Sequence, residues 1–117
     1  MAAKDELGKH GEQIAADFLQ ARGWEVLARN WRCREGEIDI VARDGRALVV
    51  VEVKTRSGRT HGTALEAVDP LKLLRLRLLA GRWLAGQSER FDTVRVDVVA
   101  LERFGRAYSI HHERGVS

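Results

Sequence analysis

Three charged residues interrupt an otherwise apolar stretch, GEIDIVARDGRALVVVEVKTR, from Gly36 to Arg56. Asp39 lies between Ile38 and Ile40, while Glu52 and Lys54 follow the run Leu48-Val49-Val50-Val51. Two carboxylates and an amine are a set that can act on phosphate esters. Carboxylate oxygens are hard donors that together hold a divalent cation, with water and phosphate oxygens completing its shell. An ammonium one step further along adds a positive charge to the same set. The plainer alternative is a carboxylate–lysine pair at the rim of a sheet, where side chains of these types usually lie. Such a surface pair contributes only about 0–1 kcal/mol, and two adjacent carboxylates repel unless a cation or proton intervenes. A bound cation explains the pattern more easily.

For these side chains to meet, the stretch must fold as a hairpin. Asp44-Gly45 is a strong two-residue turn signal, with strands expected near 37–43 and 46–55. Arg43 then pairs with Arg46, position 39 falls opposite position 50, and residues 37, 39 and 41 share a face with 48, 50, 52 and 54. Asp39 and Glu52 become diagonal neighbours with Cβ atoms roughly 7 Å apart, and Lys54 lies one step further on. A one-residue slip in the turn is expected to move Asp39 to the opposite face.

The flanking elements follow from periodicity. Leu7, Ile14, Phe18 and Leu19 recur at helical spacing over residues 4–22, with Gly23 placed to cap the end. WEVLARNWR reads as the first strand, and SGRTHGTALEAV, after the hairpin, as a loop. Asp69-Pro70 is an N-cap followed by proline at the first helical position. The helix it opens, about 70–86, is apolar over much of its surface and is expected to be largely buried. FDTVRVDVVAL and AYSIHH read as two closing strands, and the tail is expected to fray from about Glu113. The reading is an α/β fold, a sheet with helices packed on it, in the order α-β-β-β-α-β-β.

Length and composition set the frame. The 117 residues, 44% hydrophobic and 32% charged, suit one domain spanning 1–117. No apolar run approaches the ~20 residues of a membrane span. The N-terminus is polar and contains acids, unlike a secretory signal. The single cysteine, Cys33, excludes an internal disulfide and fits a reducing cytoplasm. A net charge of +3 is a weak pointer to a polyanionic partner. There is no Gly-rich phosphate loop and no CxxC zinc pattern. His111-His112 has no partner at ligand spacing and is expected at the surface. Trp24, Trp31 and Trp83 are expected to pack in or beside the core, with Trp31, between Arg29 and Arg32, also able to stack on a base.

Asp39 followed by Glu52-Val53-Lys54 on the next strand resembles the PD-(D/E)xK nuclease signature. More closely, GKHGEQIAADFL, GEIDIVARDG, VVVEVKTR and RFDTVRVDVV resemble the YraN family, bacterial proteins similar to archaeal Holliday junction resolvases. The match runs from about Gly8 to Val99. It implies a restriction-endonuclease-like fold, a central mixed β-sheet flanked by helices, and a metal-dependent phosphodiesterase acting on DNA, branched molecules among its substrates. It also implies Mg²⁺ at Asp39 and Glu52, with the Val53 carbonyl as a further oxygen ligand and Mn²⁺ able to substitute. Resolvase-like relatives make a homodimer one expectation. Ile38 stands where the signature has proline, and the short last helix-to-strand region leaves little room for a specificity insertion.

Other residues carry weaker signals. Glu12 lies within about 20° of Leu19 on a helical wheel, at the margin of the apolar face. As a residue type it belongs at the surface; the resemblance implies instead a further acidic group or metal ligand facing the site. Lys72, Arg75 and Arg82 fall within an arc of about 80° on the second long helix, a solvated stripe by default. The resemblance singles out Lys72 among them. Arg56, Arg59 and His61, just past the motif, are candidates for phosphate contacts because loops beside a site commonly bind. The rival reading of the whole chain is a nucleic-acid-binding protein that keeps the nuclease fold without turnover.

Overall fold

The computed structural model describes residues 3–57 and 69–116, with side chains described from Gly8 onward. Arg59 and His61 therefore lie outside the described residues. Helix α1 (Ala3–Ala21) precedes strands β1 (Glu25–Cys33), β2 (Gly36–Asp44) and β3 (Ala47–Ser57). Helix α2 (Pro70–Ala85) follows, then β4 (Thr93–Phe104) and β5 (Ala107–Glu113). The expected order α-β-β-β-α-β-β is the order observed. The five strands form one mixed sheet in sequence order, parallel between β3 and β4 and antiparallel elsewhere. A parallel neighbour requires a crossover connection, which includes α2. Among the described residues no helix is long and apolar enough to cross a membrane.

Strand β3 is central, and a centre strand covered on both faces must be apolar on both. Leu48, Val49, Val50 and Val51 are accordingly fully buried. Val49 and Val51 pack with Ile40, Val99, Leu101 and the Ala15, Ala16 and Leu19 face of α1. Leu48 and Val50 pack with Val41, Val96 and the Leu76, Leu79, Ala80 and Trp83 face of α2. The caps are those the sequence signals: Asp69 accepts the Lys72 N–H at 2.8 Å at the start of α2, and Gly23 adopts φ +87° after α1.

Three expectations are corrected. Helix α2 is not largely buried: Leu71, Leu74 and Leu78 are 78%, 64% and 48% exposed, because one sheet face covers only one stripe of a helix. The tail does not fray at Glu113. Arg114 pairs with Asp44, the Gly115 N–H donates to Asp97, and the Val116 N–H donates to the Val96 carbonyl. His112 is not a surface residue either, since its ring lies 2.9 Å from the buried Asp97 carboxylate and edge-on to Trp24. Asp97 is satisfied by Arg95, Gly115 and His112 together, and its pKa is lowered: burial raises it, and those partners more than offset the rise.

Helix α1 crosses the end of β3 at Gly11, where an added Cβ would lie 2.1 Å from Thr55 Oγ1 and 3.0 Å from its Cβ and Cγ2. Threonine is stiff about χ1 and cannot easily move aside. Gly11→Ala should therefore destabilise the protein by about 1–2 kcal/mol despite the roughly 1 kcal/mol that alanine contributes in helices. Urea unfolding of Gly11→Ala, Thr55→Ala and the double variant measures this. The double variant should recover part of the loss; a neutral or stabilising Gly11→Ala would contradict the close crossing.

Candidate active site

The hairpin turn sits one residue later than its signal suggests. Asp44 pairs with Ala47, Arg43 with Leu48 and Ile40 with Val51, leaving Gly45 and Arg46 as the loop. Gly45 has φ +60°, and glycine at the first of two loop positions is the II′ arrangement. Moving a loop of fixed length by one residue changes the register by two. Asp39 consequently keeps its face but moves from the level of Val50 to that of Glu52. The expected diagonal relation is thus corrected to a direct one. The expected sensitivity is corrected too: only a change in loop length, not in loop position, would flip the face.

At Asp39 strand β2 leaves the regular ladder. The last β2–β3 pair is Ile40–Val51, and beyond it the Asp39 carboxylate accepts the Val53 N–H at 2.8 Å. Side-chain alternation breaks at the same level, since Ile38 packs on the α2 side and Ile40 on the α1 side. The neighbouring strand β1 breaks with it. Asn30, between the pairs Arg29–Ile40 and Trp31–Ile38, has φ +51°, a conformation asparagine tolerates better than most residues. A residue in a strand points its N–H and C=O at the same neighbour. The Val53 carbonyl therefore also faces Asp39.

The site opens on the α2 side, in a cleft lined by Gly36, Glu37, Asp39, Glu52, Lys72, Arg75, Leu76 and Leu79. Glu52 is only 7% exposed and is hydrogen-bonded to Asp39. Lys72 Nζ stands 2.5 Å from Glu52 Oε2, yet that oxygen has no partner in hydrogen-bond geometry. Burial, followed by the hydrogen bond and charge of Glu52, pushes the Asp39 carboxyl up to about 8. The Glu52 carboxyl is lowered: burial raises it, and Asp39 and Lys72 outweigh that effect. Asp39 is thus the member of the pair driven toward its protonated form. Lys54 sits within hydrogen-bonding reach of Lys72, which, with burial, lowers its pKa.

Of the residues singled out from sequence, Asp39, Glu52, Lys54 and Lys72 come together. Glu12 approaches from α1: its carboxyl, raised by burial, is hydrogen-bonded to Asn30 and feels the charge of Glu52. Among the described residues no three His, Cys, Asp or Glu side chains stand together as a metal-binding group. The donors that could hold a divalent cation are therefore the two carboxylates and the Val53 carbonyl. A cation there would take the place of the proton on Asp39 and of the lysine contact on Glu52. Arg56 lies within β3, in register with Glu102, rather than in a loop. The reading from sequence missed Asn30, for which the only signal was asparagine inside a strand, and Arg75, read only as part of a solvated stripe.

The raised Asp39 pKa has a defined sign. Between 3.8 and about 8 the folded protein keeps a proton that the unfolded chain releases. Stability without divalent cations must therefore fall as pH rises through that window. Asp39→Asn removes the ionisation and should gain about 1–3 kcal/mol on the parent between pH 5 and pH 9. Urea midpoints in chelator measure this, and parallel pH profiles for the two proteins would contradict it.

A family profile described as "Uncharacterised protein family UPF0102" matches residues 11–101. Three relatives called UPF0102 protein match over nearly their whole lengths. That of Beutenbergia cavernae is 54% identical over 117 residues, covering 99% of each chain. That of Mycolicibacterium vanbaalenii is 50% identical, covering 98% of this chain and 96% of its own. That of Kineococcus radiotolerans is 54% identical, with the same coverage. From Gly11, where α1 crosses β3, to Leu101 on β4, the chain belongs to the UPF0102 family.

Proposed function

We propose that this protein is a metal-dependent endonuclease that hydrolyses phosphodiester bonds in DNA, on a restriction-endonuclease-like fold. The observation that carries the reading is the Asp39–Glu52 pair: two carboxylates level with each other, Glu52 buried, with Lys72 against Glu52 and Lys54 beside them. The resemblance of the Asp39, Glu52-Val53-Lys54 pattern to PD-(D/E)xK nucleases supports it independently.

Asp39, Glu52 and the Val53 carbonyl would hold Mg²⁺, or Mn²⁺ in its place. When bound, the ion supplies Lewis-acid polarisation of the phosphate and a lowered pKa for water. The Val53 N–H holds the Asp39 carboxylate in orientation. Lys54 would orient the attacking water or balance charge on the pentavalent phosphorus as the new P–O bond forms and the ester bond breaks. Its lowered pKa favours exchange of a proton with that water. Glu12 adds negative potential from the α1 side.

Incubation with linear, single-stranded and branched DNA in Mg²⁺ or Mn²⁺ tests the reading. Cleavage should fall at least ~100-fold in Asp39→Asn, Glu52→Gln and Lys54→Ala. No cleavage of any substrate, or cleavage indifferent to these changes, would overturn it. Salt-sensitive but metal-indifferent DNA binding would then point to the non-catalytic alternative.

A further inference from the structure

Lys72 occupies an unfavourable place on its helix. It is the third residue of α2, after Pro70, and its own N–H is taken by the Asp69 cap. The start of a helix carries partial positive charge and disfavours cations. Its ammonium also lies against a second one, that of Lys54. An exposed lysine would avoid both, yet two-thirds of this side chain is withdrawn from solvent, at 33% exposure. What holds it is Glu52: Nζ lies 2.5 Å from Oε2, an ion pair at contact distance. Lys72 lines the same cleft as Asp39 and Glu52.

We propose that Lys72 is the resident counterion of the site, neutralising Glu52 while no divalent cation is bound and giving up that oxygen when one binds. This rests on the metal-dependent reading above. A divalent ion on Glu52 with Lys72 still in contact would place four positive charges, two on the ion and one each on Lys72 and Lys54, around one carboxylate pair. The repulsion favours exchange over coexistence. A single ammonium contact is easier to give up than a fork-like arginine pair. The exchange turns the ammonium out into the cleft beside Arg75, where an anionic substrate group would meet it. Lys72 is then a positioning residue that links cation occupancy to the charge the cleft presents.

Calorimetric titration of the full chain with Mn²⁺ and Ca²⁺, without nucleic acid, tests the exchange. Lys72→Gln should bind either cation roughly tenfold more tightly than the parent, because no charge has to be displaced. Equal or weaker binding by the variant would overturn the counterion role while leaving the metal reading intact. Absence of binding by both proteins would overturn the metal reading and this role with it. Should the variant unfold, ¹⁵N spectra of the lysine amines in the parent decide the matter. The Lys72 Nζ signal should move to that of a solvated lysine as Ca²⁺ saturates. Saturation without that movement would overturn the exchange.

Discussion

The bond from the Val53 N–H to the Asp39 carboxylate sets the geometry of the rest of the site. In a regular hairpin that N–H would meet a β2 carbonyl. Here a side chain takes the position, so the ladder ends at Ile40–Val51 while the donor stays satisfied. The departure fixes Asp39 level with Glu52 and turns Ile38 to the α2 core. The residues that end the ladder are the residues that make the cleft. Asn30, opposite Asp39, lets β1 follow the same bend and holds Glu12 on the other side of the sheet.

The two buried carboxylates of the sheet, Asp97 and Glu52, show what distinguishes a structural charge from a reactive one. Asp97 is fully buried, and its oxygens receive Arg95, His112 and the Gly115 N–H. Such a group is complete, and its work is to fasten β5 and the tail to β4. Glu52 is nearly as buried, but it is hydrogen-bonded to Asp39, leans on a lysine and leaves one oxygen without a directed partner. Buried polar groups are rarely left so. The incompleteness lies where the strand pattern is broken, which is why the proposed chemistry is placed there.

Much of this was legible in the sequence because burial writes itself as periodicity. The Leu48–Val51 run marks a centre strand, and Asp69-Pro70 marks a helix start. The common face of Asp39 and Glu52 survived a misplaced turn because a two-residue loop displaced by one residue preserves parity. Whether Gly45 takes the first or second loop position depends on strand twist and packing, which the dipeptide Asp44-Gly45 does not encode. The break at Asp39 and the φ of Asn30 were equally hidden, since both are tertiary accommodations. His112 looked solitary because its partner, Asp97, is close only through the β4–β5 pairing. The exposed Leu71, Leu74 and Leu78 show that an apolar helix sequence gives no information on how many faces are covered.

The account comes down to whether Asp39 and Glu52 exchange the proton on Asp39 for a cation. Crystals of the full chain soaked in Mn²⁺, with anomalous scattering recorded at the manganese edge, read this directly. The account predicts one anomalous peak between the two carboxylates, about 2.0–2.3 Å from their oxygens and from the Val53 carbonyl. A direct Asp39–Glu52 hydrogen bond that persists at saturating Mn²⁺, with no peak at the pair, would contradict it.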